Sequence, residues 1–196
     1  VLSNGRFVLG VATGDRPLEY GVFGTEYASR GERFRATVER LPGLWSGEAA
    51  AHRSFGTTPF EIAPPPAQRR LPQVVVGRAQ QSLEWIAAHA DGWFSYAGSI
   101  DQLTALNEDW EAAQQESGCA GKPLMMALRV ILEGDRNAPL SFFPMGIRAG
   151  IGELKRYLER LYEAGIAHVA LNLRMSVRPV AQVLEEIGRE PGLLNN

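Results

Sequence analysis

The chain has 196 residues, 45% of them hydrophobic and 21% charged, with a formal net charge of −2. That balance suits a globular protein that buries its core as one domain over residues 1–196, and it offers no basic field for nucleic acid or an anionic membrane. No apolar run approaches the ~20 residues of a membrane span, the start lacks signal-peptide features, and the one cysteine, Cys119, excludes an internal disulfide; a cytoplasmic location is expected.

Residues 6–11 form the first predicted strand. It stops at Ala12-Thr13-Gly14-Asp15. A helix is predicted over residues 30–45, with Phe34, Val38, Leu41 and Trp45 at helical spacing. Residues 46–71 hold Pro64-Pro65-Pro66 and are expected to be an extended surface connection. Residues 73–76 are a short β-branched strand. A helix over 81–90 follows, then a strand over 93–96 and a helix over 101–116. Residues 124–132 are the longest predicted strand. Leu154, Tyr157, Leu158 and Leu161 stripe a helix over 153–164. A strand over 167–173 and a helix around Val180 to Ile187 complete the pattern. Five strands, each followed by a helix, predict an α/β fold with parallel strands joined by right-handed crossovers. An open sheet and a segment of a (β/α)8 barrel both satisfy that pattern.

The most informative stretch for chemistry is Val74-Val75-Val76-Gly77-Arg78-Ala79-Gln80-Gln81-Ser82. A strand ends, a glycine turns the chain and a helix begins. Unpaired N–H groups at a helix start attract anions, usually phosphate. Arg78 adds a permanent cation with a planar donor fork, and the Gln80 and Gln81 amides and the Ser82 hydroxyl add donors. The plainer reading makes Gly77 a turn residue and Arg78 a solvated one. Thr13 offers a hydroxyl at the carboxyl end of a strand, where α/β proteins place ligands; a simple turn capped by Asp15 is the alternative.

Arg129 is a permanent charge within Leu124-Met125-Met126-Ala127-Leu128-Arg129-Val130-Ile131-Leu132. An unpaired buried arginine is very costly. It must face solvent, pair with a carboxylate such as Glu133 or Asp135, or meet an anionic ligand. Arg148 precedes a helix in the glycine-rich loop Met145-Gly146-Ile147-Arg148-Ala149-Gly150; it is expected to be solvated, with contact to an anion as the alternative. His52, His89 and His168 have no partners at metal-ligand spacing, so no metal site is expected. Cys119 has no motif of a reactive thiol around it.

These pieces in this order resemble the bacterial luciferase-like flavin-dependent monooxygenases. The resemblance runs from Ser3-Asn4-Gly5-Arg6-Phe7 through Gly14-Asp15-Arg16-Pro17, Phe23-Gly24, Arg30-Gly31-Glu32-Arg33-Phe34 and Leu44-Trp45. It resumes at Val76-Gly77-Arg78-Ala79-Gln80-Gln81-Ser82, then Ala90-Asp91-Gly92-Trp93 and Gly165-Ile166-Ala167-His168-Val169. It implies a (β/α)8 TIM barrel, present here as an incomplete barrel of about five βα units, the fourth to the eighth. It implies FMN or reduced FMN as cofactor, with a deazaflavin in some relatives.

By the same resemblance the flavin phosphate sits on Gly77, Arg78, Ala79 and Gln80, with Ser82 beside them. Ala12 and Thr13 flank the flavin ring, and Arg129 meets the substrate. Many relatives carry Gly-Ser-Ser where this chain has Gly77-Arg78-Ala79, so Arg78 stands in for serine hydroxyls. The implied reaction is monooxygenation of a small organic substrate, with a flavin reductase and a second copy of the chain, as a homodimer, for partners. A non-catalytic flavin-binding or structural relative, and a barrel enzyme binding a phosphorylated substrate without flavin, are the alternatives. The family's first three strands have no counterpart here, so catalytic residues from that region cannot be named. The expectation is a longer native product, with three βα units of ~30 residues each ahead of Val1.

Overall fold

A computed structural model describes residues 3–46, 66–68 and 70–193. Most of the proline-bearing connection expected over 46–71, with His52, lies outside the described residues. The described elements are β1 (Leu9–Val11), α1 (Pro17–Val22), α2 (Arg30–Ser46), β2 (Gln73–Val76), α3 (Leu83–His89), β3 (Gly92–Tyr96), α4 (Ile100–Glu116), β4 (Leu124–Leu132), β5 (Ser141–Phe143), β6 (Gly146–Ala149), α5 (Ile151–Glu163), β7 (Ile166–Asn172) and α6 (Val180–Arg189). They fall into two compact units. One holds Val1–Trp93 with Ala113–Lys122, the other Phe94–Ala112 with Pro123–Asn196. The strands make a mixed sheet that does not close on itself.

In the first unit β1 and β2 run parallel, with Leu9 opposite Gln73, Gly10 opposite Val74 and Val11 opposite Val75. β1 is shorter than the expected 6–11. The Leu9 N–H reaches the Pro72 carbonyl, but Pro72 has no N–H with which to extend the ladder backwards. Phe7 and Val8 are therefore left about half exposed. Helix α2 buries Phe34 and Val38, and α3 buries Leu83, Ile86 and Ala87. Asp91 ties the far end of β2: its Oδ2 accepts the Gln73 N–H at 2.8 Å, and its Oδ1 pairs with Arg70 at 2.7 Å. The Lys122 ammonium donates to the Ala87 and Ala90 carbonyls, where a cation favours the carboxyl end of α3.

In the second unit β4 is the centre. It pairs in parallel with β7 through Leu124 to Arg129 and with β6 through Arg129 to Leu132. Leu124, Met126, Leu128 and Val130 are almost wholly buried, while Met125, Ala127 and Arg129 on the other face are half-buried. Helix α5 buries the stripe Ile151, Leu154, Tyr157 and Leu161, and α6 buries Val183 and Ile187.

The glycine-rich loop expected over residues 145–150 is instead largely strand: β6 spans Gly146–Ala149. β5 and β6 form an antiparallel hairpin, with Phe143 opposite Gly146. Pro144 and Met145 make its two-residue turn. Proline suits the first turn position, and the second requires a positive φ that glycine usually supplies; here Met145 adopts it, at 62°. Arg148 accordingly lies in a strand and pairs with Glu133. The expected purely parallel sheet is therefore mixed, and α1 adds a helix that the small polar residues after β1 did not signal.

Gly150 precedes α5 where no side chain fits. A Cβ there would lie 2.3 Å from the Asp135 carbonyl oxygen and 2.4 Å from that of Arg136. Gly188, within α6, has open space around it. Gly150→Ala should lower unfolding stability by ~1–3 kcal/mol, the cost of overpacking against backbone. Gly188→Ala should raise it by ~0.5–1 kcal/mol through helix propensity. Urea unfolding of the two variants measures both.

Candidate functional site

The carboxyl ends of β1 and β2 lie side by side in the first unit, because the parallel register that pairs Val11 with Val75 carries on toward the next residues of each strand. Ala12 and Thr13 leave one end; Gly77, Arg78, Ala79 and Gln80 leave the other. The structure thus brings together two of the three groups of residues picked out in the sequence. Arg129 stands in the second unit, in surroundings of its own.

The helix does not begin at Gly77. A tight turn comes first, closed by the Gln81 N–H on the Arg78 carbonyl at 2.7 Å. Gly77, Ala79 and Gln80 all take left-handed backbone, with φ of 62°, 46° and 59°. For the two non-glycines that conformation costs ~1–2 kcal/mol each. Trp93 braces the turn by donating its indole N–H to the Gly77 carbonyl at 2.8 Å. The Arg78 guanidinium lies 5.5 Å from the Trp93 ring centroid and is otherwise exposed.

Ser82 caps α3, accepting the Trp85 N–H at 3.2 Å. The Glu84 carboxyl is held below its ordinary value, first by the Ser82 hydroxyl, then by its own backbone N–H and by the charge of Arg78. The Ser82 hydroxyl is thus engaged in starting the helix.

Gln81 reads in the sequence as one more polar residue, yet it is 8% exposed. Its amide nitrogen donates to the Gly31 carbonyl at 3.0 Å and the Ala79 carbonyl at 3.1 Å. Its Oε1 accepts from Arg35 Nε and Nη2, at 3.1 and 2.9 Å. The turn is thereby fastened to the first turns of α2. Gly31 permits the approach, since a Cβ there would fall 2.8 Å from Gln80 Oε1.

Beside β1 is a cleft of about 520 Å³, lined by Ala12, Thr13, Tyr20, Arg30, Arg33 and Phe34 among others. Tyr20 donates its hydroxyl to the Thr13 carbonyl; the Thr13 hydroxyl itself has no partner among the described residues. Arg30 stacks on Tyr27, 3.6 Å from the ring centroid, and donates to the Tyr27 carbonyl at 2.9 Å. Arg33 donates to Ser29 Oγ and, at 2.6 Å, to the Glu26 carbonyl. Neither guanidinium has a carboxylate partner among the described residues; the Glu19 that also lines the cleft is paired with Arg16, so the two arginines leave the lining with an excess of positive charge. Sequence reasoning missed them, because a charged first turn of an amphipathic helix looks like a solvated face. Their signal was position: the segment carrying them directly follows the β1 loop.

Arg129 is half-buried, and its hydrogen bond is a long one, 3.5 Å from Nη1 to the Pro144 carbonyl. The carboxylate nearest in sequence, Glu133, is taken by Arg148. Arg129 has no ion pair among the described residues. Among those residues no group of three His, Cys, Asp or Glu side chains could hold a metal, and no helix is long and apolar enough to cross a membrane.

A family model described as luciferase-like monooxygenase matches residues 1–170. The chain belongs to the luciferase-like monooxygenase family. An uncharacterized protein of Mycobacterium tuberculosis (strain ATCC 25618 / H37Rv) is 32% identical over 118 residues, 60% of this chain and 41% of that protein. The chain thus spans less than half the length of the curated relatives it matches. Among solved structures, an F420-dependent secondary alcohol dehydrogenase in complex with an F420-acetone adduct superposes with a TM-score of 0.67. It is 16% identical, over 89% of this chain and 66% of that one. Riboflavin lyase, solved with modified FMN and riboflavin, gives 0.68 at 14% identity, over 95% and 65%. Those likenesses are of fold. They make the open sheet an incomplete luciferase-like (β/α)8 barrel.

Replacing Gln81 by Leu removes four hydrogen bonds and leaves the Ala79 carbonyl without that donor. Gln81→Leu should cost ~1–3 kcal/mol and speed amide exchange at residues 78–81 more than in β4. Urea unfolding with hydrogen-exchange mass spectrometry tests it.

Proposed function

We propose that this chain is the flavin-binding part of an oxidoreductase, a monooxygenase using reduced FMN and oxygen on a small organic substrate, with a deazaflavin as the alternative cofactor. Family membership supports the reaction class. The observation that carries the reading is local: a braced, left-handed turn that exposes Arg78 and Gln80 stands at the strand end next to the one that opens on a cleft carrying two arginines.

The residues fit such a cofactor. Gly77, Arg78, Ala79 and Gln80 receive the phosphate, with the turn's conformation fixed in advance by Gln81 and Trp93, so little ordering is left for binding to offset. Ser82 contributes by anchoring the helix that follows. Ala12 and Thr13 stand beside the ring, the Thr13 hydroxyl free to donate. Arg30 and Arg33 hold positive charge in the cleft, while Phe34 and Val38, both nearly buried, keep water from its floor. When bound, the reduced flavin supplies the electrons that activate oxygen. Arg129 orients an anionic substrate. A flavin reductase supplies the reduced cofactor, and the enzyme works as a homodimer.

A charge-assisted hydrogen bond contributes ~1.5–3 kcal/mol, so Arg78→Ala should weaken FMN binding roughly ten- to a hundred-fold. Riboflavin, which lacks the phosphate, should be almost indifferent to the change. Flavin fluorescence titrations give both affinities; equal losses for the two ligands would mean that Arg78 does not hold the phosphate. Flavin-dependent oxygen consumption with NADH and an added flavin reductase tests turnover. There, Arg129→Met should keep FMN affinity and thermal stability while lowering the rate. A variant that unfolds instead would assign Arg129 to the scaffold.

A further inference from the structure

The second unit contains a cavity of about 440 Å³ to which the flavin reading gives no role. Its residues come from the loop into α4, the β5–β6 hairpin and α5. Tyr157 lines it and is 2% exposed, yet its hydroxyl makes no hydrogen bond among the described residues. Among the described residues only the Gln73 amide is both sealed from solvent and unpartnered, so the Tyr157 hydroxyl opens onto the cavity, at the polar tip of an otherwise buried ring. Burial pushes the Tyr157 phenol above its ordinary value, against the opposing charge of Arg160. The phenol therefore keeps its proton at neutral pH and has a donor free for an acceptor in the cavity.

Two further donors surround the same space. Arg160 lines the cavity and has no ion pair among the described residues. The first turn of α4 lines it too. Ser99 and Gln102 satisfy each other there, N–H to Oε1 at 2.9 Å and N–H to Oγ at 3.2 Å. The N–H groups of Ile100 and Asp101 are left without acceptors among the described residues, at the positive end of a 17-residue helix. The Asp101 carboxylate also lines the cavity, so a doubly charged anion is disfavoured. Phe142, Phe143, Met145 and Ile147 make the lining from the hairpin apolar. Phe142 is 67% exposed and meets the Tyr157 ring edge-on, centroids 5.8 Å apart, and Met145 lies at the adjoining turn.

We propose that this cavity binds a small organic monocarboxylate with an aromatic body, its carboxylate toward Tyr157 Oη, Arg160 and the first turn of α4, its ring against Phe142 and Met145. The site is independent of the flavin reading, since none of its residues belongs to the first unit.

Benzoate and its uncharged analogue benzyl alcohol are the probes, titrated into the whole chain by calorimetry and by amide NMR. Benzoate should saturate, shift the Ile100 and Asp101 amides, and bind at least about tenfold more tightly than benzyl alcohol. Tyr157→Phe and Arg160→Gln should each weaken benzoate by about tenfold, the loss of one such hydrogen bond, and leave benzyl alcohol and FMN binding unchanged. Tyr157→Phe should melt no lower than the parent chain, because it removes a hydroxyl that makes no hydrogen bond within the fold. Non-saturating benzoate, equal affinity for the two probes, or indifference to both substitutions would each overturn the proposal and leave the cavity a packing gap.

Discussion

The amide of Gln81 holds the candidate site together. Four hydrogen bonds converge on it, and they join two segments far apart in sequence. These are the turn after β2 and the first turns of α2, held at the Gly31 carbonyl and, one helical turn on, at the fork of Arg35. A buried primary amide is costly unless all its groups are partnered, so the turn cannot drift from the helix without exposing or orphaning one of them. The left-handed Ala79 and Gln80 are kept in place by the same network. Strain of this kind persists only where the surroundings over-determine it. Arg30 and Arg33 inherit their positions from this arrangement, because the helix that carries them is the one that Gln81 fastens.

Periodicity and β-branched runs made the regular parts of the fold legible. β2 and β4 begin and end where expected, and α2, α4 and α5 match their predicted ranges to within two residues at each end. What was not legible depends on contacts distant in sequence. β1 is short because its partner begins after a proline. The β5–β6 hairpin escaped notice because Met145 occupies the turn position that glycine would have advertised. The pairing of Glu133 with Arg148, rather than with Arg129, follows from the hairpin and was invisible without it.

The candidate site divides the same way. Gly77 and Arg78 announce themselves as a strand end, a glycine and a cation, and Thr13 as a hydroxyl at another strand end. That the two ends are neighbours follows from the parallel register. The burial of Gln81 and the arginines of the cleft could not be read locally: the Gln81 amide looked like a donor to an anion, the arginines like a solvated helix face. Family resemblance supplied the expected cofactor class. In the proposed phosphate site Arg78 takes the place of the serines that many relatives carry, on a turn fastened by Gln81 and Trp93; a guanidinium fork can meet a phosphate in two places at once.

The central claim is that the turn at residues 77–80 receives the phosphate of a flavin whose ring lies beside Ala12 and Thr13. The most direct measurement is a crystal structure of the chain grown with FMN. The account predicts phosphate oxygens within hydrogen-bond distance, ~2.7–3.2 Å, of the turn's backbone N–H groups and of the Arg78 guanidinium. FMN bound with its phosphate away from that turn, or a turn whose backbone must rearrange to admit it, would contradict it.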